Sequence, residues 1–177
     1  MSRKITLIFL LLSVVVVAYM AWRLHDLKRD VRGGPPASHP RIVSLAPSIT
    51  EAGAALGLSN HLVGVTRFCL HIPEARGKRN VGGYMDLNYE AILRLKPDLV
   101  VMLPEHREAL KAFEKLRLPT LTVRHDVISG ILDSLRTLGE ACGETGKAKD
   151  LVAEIERAQE QVKKDKRYVK ITFPLPN

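Results

Sequence analysis

The order of apolar segments predicts an α/β fold built on a parallel β-sheet. Between residues 41 and 146, short apolar runs alternate with longer segments in which apolar residues recur every three or four positions. Strands that are each followed by a helix generally pair in parallel. The chain of 177 residues is 46% hydrophobic and 26% charged, which is typical of a compact domain and excludes disorder along the whole length.

Four strands and four helices are predicted in this region. Proline supports their boundaries, because Pro97 follows a predicted helix, Pro104 closes the third strand and Pro119 precedes the fourth. A long loop is expected between the second strand and residue 87. The predicted strands are residues 42–45, 62–65, 99–103 and 120–123, and the predicted helices are residues 50–56, 89–95, 105–116 and 127–142.

A long amphipathic helix is predicted over residues 147–166. Its apolar residues recur at three- and four-residue intervals from Ala148 to Val162, with charged and amide side chains between them. At 1.5 Å per residue this helix would be about 30 Å long, enough to cross one face of a domain. A further strand is expected at residues 168–173.

The N-terminal 40 residues predict a membrane segment and a tether. After a basic stretch at residues 1–4, residues 5–22 carry no charge and would span about 27 Å as a helix, which favours an uncleaved anchor over a cleaved export signal. Residues 23–40 contain Gly-Gly-Pro-Pro and form a flexible tether. Basic residues follow the span, and the positive-inside tendency would keep that side of the span in the cytoplasm, whereas export would place it outside. The sequence leaves the orientation open.

The net charge of +8 lies mainly at the two ends of the chain. Residues 1–40 hold six Lys/Arg and two Asp/Glu, residues 147–177 hold eight and five, and residues 41–146 hold thirteen and twelve. The central body is therefore nearly neutral. Few aromatic residues are available to stack on bases, so we expect no nucleic-acid binding.

No motif of a familiar enzyme class occurs, and we predict no catalytic residue, no resident metal and no cofactor. The chain lacks G-x-S-x-G, a Walker loop, G-x-G-x-x-G and H-E-x-x-H. Cys69 and His71 are close enough in sequence to share a metal ion, but two ligands make no site and packing of the loop is the favoured interpretation. Two cysteines, Cys69 and Cys142, do not indicate whether the chain works in an oxidising or a reducing compartment, and the sequence does not decide whether they form a disulfide.

Two loops carry residues that suit a ligand. Ser48 or Thr50 is expected to cap the helix that follows the first strand, and the same helix end could also receive a ligand. Tyr84 lies beside two glycines just before the predicted helix at residues 89–95, where its ring could stack on a ligand or pack in a hinge. Both interpretations stay open at the level of these residues.

The order of five motifs resembles that of the class III substrate-binding proteins, the extracytoplasmic receptors of ABC importers for cobalamin, ferric siderophores and haem. The motifs are RIVSLAPSITE at residues 41–51, VGVT at 63–66, PEA at 73–75, VGG at 81–83 and LKPDLV at 95–100. In this family two α/β lobes are joined by one long helix. The resemblance implies a parallel-sheet lobe over residues 41–146 and the joining helix over residues 147–166. Residues 70–72 depart from the usual Asp-Tyr-Pro.

The resemblance also implies functional residues. It suggests Pro47 and Ser48 from the first loop, Phe68 from the second and Tyr84 from the third as residues that line the ligand pocket. Glu90 matches the lobe glutamate that docks on arginines of the membrane permease, as a charge-assisted pair. The implied ligand is a corrinoid, a ferric siderophore or haem, and the implied partners are the permease subunits of an ABC importer.

The resemblance further leads us to expect a second lobe after the long helix. Residues 167–177 would be its truncated start, so the second lobe is expected to be absent and the pocket half built. The resulting hypothesis is a membrane-anchored solute-binding component, facing the periplasm or cell exterior and truncated. The alternative is a membrane-tethered, single-lobe interaction domain without transport function.

Overall fold

A computed structural model describes residues 40–164. The predicted anchor at residues 5–22, the basic stretch before it, the tether up to residue 39 and the expected strand at 168–173 lie outside the described residues. Within residues 40–164, no helix is long and apolar enough to cross a membrane. The described residues form one α/β lobe followed by one long helix, which confirms the predicted fold class.

Five strands and four helices form the lobe, with two short 3₁₀ turns after the second strand, and the long fifth helix follows it. The strands are β1 (Ile42–Ser44), β2 (Leu62–Val65), β3 (Arg79–Asn80), β4 (Leu99–Met102) and β5 (Thr120–Thr122). The helices are α1 (Pro47–Ala55), α2 (Tyr89–Arg94), α3 (Arg107–Lys115), α4 (Ile128–Ala141) and α5 (Thr145–Lys164), and the turns are Arg67–Cys69 and Pro73–Ala75.

All strand pairs are parallel, in the order β3-β2-β1-β4-β5. The chain builds the sheet outward from β1 to β3, then crosses back to place β4 on the other side of β1. The loops after β1 and β4 therefore diverge at the point where the winding reverses. In open α/β sheets, this point at the carboxyl edge is where ligands bind.

The sheet is covered on both faces because its central strands alternate between two buried clusters. Ile42 and Val101 pack into the cluster that includes residues of α1, α4 and α5, whereas Val43 and Val100 pack into the cluster of α2 and α3. Phe113 of α3 is fully buried in the second cluster. Burial on both faces explains why the central strands β1 and β4 are apolar except for Ser44 at the end of β1.

Helices α4 and α5 pack closely because Gly139 provides no side chain at their contact. A Cβ at residue 139 would lie 2.5 Å from the Cβ of Ala148. Val152 of α5 is buried against the lobe, while Val162 near the end of the helix is 47% exposed. The first turns of α5 are therefore part of the core, and the later turns leave it.

Two local predictions were wrong. The segment expected to be a loop contains β3, a polar two-residue strand that forms because β2 offers a free edge, with the Val81 N–H bonded to the Val65 carbonyl at 3.0 Å. Neither Ser48 nor Thr50 caps α1. The helix begins at Pro47, so Ser48 and Thr50 lie within its first turn. The cap residue is Ala46, which makes no side-chain cap bond.

Candidate functional site

The first loop, after β1, is held by hydroxyl groups beneath it. The hydroxyl oxygens of Ser44 and Thr50 are 2.8 Å apart, and each lies within hydrogen-bonding distance of the Ala46 carbonyl, at 3.1 and 3.3 Å. Ser44 and Thr50 are fully buried, while Pro47 and Ser48 above them are half-buried. This arrangement fixes Pro47 and Ser48 at the carboxyl edge, where a ligand could contact them.

The second and third loops are joined to each other. The Arg67 N–H donates to the Gly82 carbonyl at 2.8 Å, and the Arg67 guanidinium forms an ion pair with Asp86. Gly82 has φ +106, and its N–H donates to the Asn80 side-chain oxygen at 2.9 Å. These bonds set the position of the loop that carries Tyr84.

Phe68 lies in the first 3₁₀ turn with its side chain turned outward. It is 52% exposed. The neighbouring Cys69 is fully buried, with its sulfur 3.2 Å from the Thr66 hydroxyl, while His71 is exposed. Cys69 and His71 therefore do not converge, and in the part of the chain that the structure describes no group of three or more His, Cys, Asp or Glu is placed to hold a metal.

Tyr84 contacts two residues that the sequence analysis did not single out. Its ring centroid is 4.4 Å from that of His106, and its hydroxyl donates to Glu105 at 3.5 Å. Burial, and after it the charge of Glu105, raises the pKa of the Tyr84 phenol. The phenol therefore stays protonated and remains a hydrogen-bond donor at neutral pH.

His106 is anchored at one ring nitrogen only. It is 3% exposed, and its Nδ1 accepts a hydrogen bond from the Leu103 N–H at 3.2 Å, while its buried Nε2 has no hydrogen-bond partner among residues 40–164. Glu105 and His106 follow Pro104, which closes a predicted strand, and this position after a strand is the only signal that the sequence offered for them. The structure adds that this strand, β4, pairs with β1 beside the winding reversal, where ligands bind in open α/β sheets.

Glu90 lies apart from this edge, on the first turn of α2. Its carboxylate accepts a hydrogen bond from Arg94 at 2.7 Å, and its side chain is 74% exposed. The structure thus brings Tyr84, Glu105 and His106 together, places Pro47, Ser48 and Phe68 on neighbouring loops of the same edge, and separates Glu90 from them as a surface residue.

The two cysteines are free and buried. Burial, and after it the charge of Glu144, raises the pKa of the Cys142 thiol to about 11. A thiol with such a pKa stays protonated and unreactive at neutral pH. Neither cysteine contributes chemistry to the candidate site.

Comparisons with known proteins agree with this architecture. The model of a family described as periplasmic binding protein matches residues 42–170. An uncharacterized ABC transporter substrate-binding lipoprotein of Bacillus subtilis, YvrC, is 37% identical over 117 residues, which cover 63% of this chain and 37% of the relative. A vitamin B12-binding protein of Vibrio cholerae is 41% identical over 69 residues, which cover 39% of this chain and 25% of the relative.

Solved structures show the same lobe. The periplasmic vitamin B12-binding protein BtuF of Vibrio cholerae superposes with a TM-score of 0.64 at 26% identity, over 70% of this chain and 49% of that one. The periplasmic haem-binding protein RhuT of Roseiflexus gives a TM-score of 0.62 at 27% identity, over 72% and 52%. The chain thus spans between a quarter and about half of the length of these relatives. They are binding proteins, in agreement with the expectation that the chain is not an enzyme.

Proposed function

Because the chain belongs to the periplasmic binding protein family, we propose that its lobe forms one wall of a cleft that binds a corrinoid, a ferric siderophore or haem for an ABC importer. The support comes from relatives named for vitamin B12 and haem, and the ferric siderophore is included because the resemblance of the motifs implies it. An extracytoplasmic location follows from the same membership. Anchoring by residues 5–22 stays a prediction.

The observation that carries the proposal is the placement of Tyr84 over His106 at the carboxyl edge of the sheet. Planar or near-planar macrocycles offer a large face to an aromatic ring, and a half-buried phenol supplies both ring surface and a hydroxyl donor. Phe68 at 52% exposure adds apolar surface that a ligand could cover. Together these side chains suit a bulky, largely apolar chelate.

The shift of the melting temperature on ligand addition tests the proposal. Cyanocobalamin, haemin and ferric staphyloferrin B are each added to the full chain up to millimolar concentration. At least one should raise the melting temperature, and Tyr84→Ala should reduce that rise, whereas Leu116→Ala, at an exposed site near the end of α3, should leave it unchanged. The proposal fails if none of the three ligands produces a shift.

Docking of Glu90 on a permease is a separate proposal. The carboxylate is highly exposed and its pair with Arg94 is local to α2, so a partner arginine could replace Arg94 without disturbing the core. Glu90→Arg should abolish recovery of importer permease subunits from membranes. Glu108→Arg is the matched control, because Glu108 is also an exposed, first-turn carboxylate paired within its own helix. Equal recovery with both variants would refute docking at Glu90.

The interaction-domain alternative makes the opposite set of predictions. It requires no ligand-induced shift and a protein partner other than a permease. The two experiments above therefore separate it from the import function.

A further inference from the structure

A groove of about 670 Å³ runs along the open edge of the sheet beside β3. Lys78, Arg79 and Asn80 form its strand side, and the loop that holds Asp86 forms the other. A smaller pocket of about 270 Å³ shares Arg79 with it and extends to Glu90. This surface lies on the outer edge of the lobe and is built from residues other than those proposed to bind the ligand.

The groove carries an excess of positive charge, because Arg67, Lys78 and Arg79 line it together with a single carboxylate, that of Asp86. Residues 40–164 hold eighteen Lys/Arg and sixteen Asp/Glu. Arg67 is neutralised by Asp86, and Arg94 by Glu90. Within the described residues neither Lys78 nor Arg79 takes part in an ion pair, so two adjacent cations remain uncompensated in one concave surface.

The backbone at this edge is also available. Val81 N–H points toward β2, where it donates to the Val65 carbonyl. Because successive residues of a strand direct their N–H and carbonyl groups to opposite sides, the backbone groups of Asn80 face the open edge. Basic residues on an edge strand discourage pairing with another sheet, but that role requires no groove beside them.

We propose that the groove beside β3 is a docking site for an acidic, extended segment of a partner protein. Carboxylates of that segment would meet Lys78 and Arg79, and its backbone would meet the free backbone groups of Asn80. An edge strand whose backbone groups face outward can pair with an extended chain, whereas a lipid surface offers no strand to pair with it. Glu90 does not line the groove, although it shares the smaller neighbouring pocket with Arg79, and the proposal holds whether or not Glu90 docks on a permease.

The test measures binding of a fluorescein-labelled synthetic peptide of alternating glutamate and threonine to the full chain by fluorescence anisotropy. We expect Lys78→Glu combined with Arg79→Glu to weaken binding about tenfold or more, the size expected for two partly exposed charge pairs. Lys115→Glu combined with Lys149→Glu changes the net charge equally at exposed helix sites and should have little effect. The neutral variant with Lys78→Gln and Arg79→Gln should give an intermediate loss.

Amide hydrogen exchange supplies a second readout, because the Asn80 amide should become protected when the peptide binds. Absence of peptide binding overturns the proposal, as does an equal loss in the two charge-reversal variants, which would indicate non-specific attraction. Vesicles of phosphatidylglycerol that displace the peptide through the same two residues would identify a lipid surface instead. Glu90→Arg should leave peptide binding in place, so failure of permease docking is distinguishable from failure here.

Discussion

Replacing Gly139 with alanine tests how closely α4 and α5 pack. The added Cβ would lie 2.5 Å from the Cβ of Ala148 and 3.1 Å from the Glu144 carbonyl oxygen. Carbon atoms in contact are separated by about 3.5–4.0 Å, so the helices must move apart by about 1 Å. Neither neighbour can rotate away, because one is a Cβ and the other belongs to the backbone.

Two opposing terms set the magnitude. In a helix, alanine raises the unfolding free energy by about 1 kcal/mol relative to glycine, because it favours the helical backbone. Overpacking of a buried contact lowers the unfolding free energy by about 1–3 kcal/mol. The net loss of unfolding free energy for Gly139→Ala is therefore about 0–2 kcal/mol. Gly146→Ala, in the first turn of α5 with no atom within 4 Å of its new Cβ, should instead gain up to about 1 kcal/mol.

Urea unfolding followed by circular dichroism measures both variants. The expected signature is a lower midpoint for Gly139→Ala and a higher midpoint for Gly146→Ala, with little change in the slope. Adding Ala148→Gly to Gly139→Ala should remove the clash, so the double variant should be as stable as Ala148→Gly alone or more so. If Gly139→Ala stabilises the chain as much as Gly146→Ala does, the close contact between α4 and α5 is refuted.

Three further predictions concern the loops of the carboxyl edge. Gly82→Ala should lower the unfolding free energy by about 1–3 kcal/mol, because Gly82 has φ +106 and a Cβ there would meet the Asp86 carbonyl oxygen at 2.5 Å; unchanged stability in urea would contradict this. Glu105→Gln should lower the pKa of Tyr84 toward its ordinary value while burial keeps it raised, which an ultraviolet absorbance titration detects; an unaltered titration would show that Glu105 does not act on the phenol. Burial lowers the pKa of His125 in the folded chain, so the imidazole is protonated at a higher pH in the unfolded chain, and the unfolding free energy should fall as the pH drops below 6.5. His125→Gln should make that decline less steep, and an equal decline in the variant and the unchanged chain would contradict the prediction.

The sequence could predict the elements that bury apolar side chains. The alternation of Ile42 and Val43 between two cores, and the periodicity of residues 147–164, are signals of tertiary burial that are written in residue type. The predicted strand at residues 62–65 matches β2, and the other predicted strands differ from the structure by a single residue at one end. Strand β3 carried no such signal, because Arg79 and Asn80 are polar and exposed and pair through backbone groups alone.

The ligand-binding role of the residues that the resemblance suggests stays a prediction, and the resemblance did not supply their contacts. Pro47, Ser48 and Tyr84 were suggested position by position, but the contact of Tyr84 with His106 joins residues that are far apart in sequence. Such a contact depends on the order of strands in the sheet, which single-sequence patterns do not specify. The predicted cap of α1 was wrong for a local reason. A hydroxyl residue near the start of a helix can also form a buried hydrogen bond to the preceding strand, as Thr50 does with Ser44.

The loops of the carboxyl edge are ordered by bonds to the protein itself, and this bears on how a ligand would bind. The buried Ser44 hydroxyl supports the first loop, and the pair of Arg67 and Asp86 joins the second to the third. In the loop after β4, the Leu103 N–H donates to the ring of His106. Binding to loops that are already ordered avoids the loss of conformational entropy that a mobile site would incur. Phe68 is still 52% exposed, and a ligand that covers its apolar surface would gain affinity from that burial. Little conformational entropy of the loop would be lost in return. We therefore expect the contact between the rings of Tyr84 and His106 to be nearly the same in the free and the ligand-bound chain. NMR measures this contact, and a large change on ligand addition would show that the loops of the carboxyl edge are not preorganised.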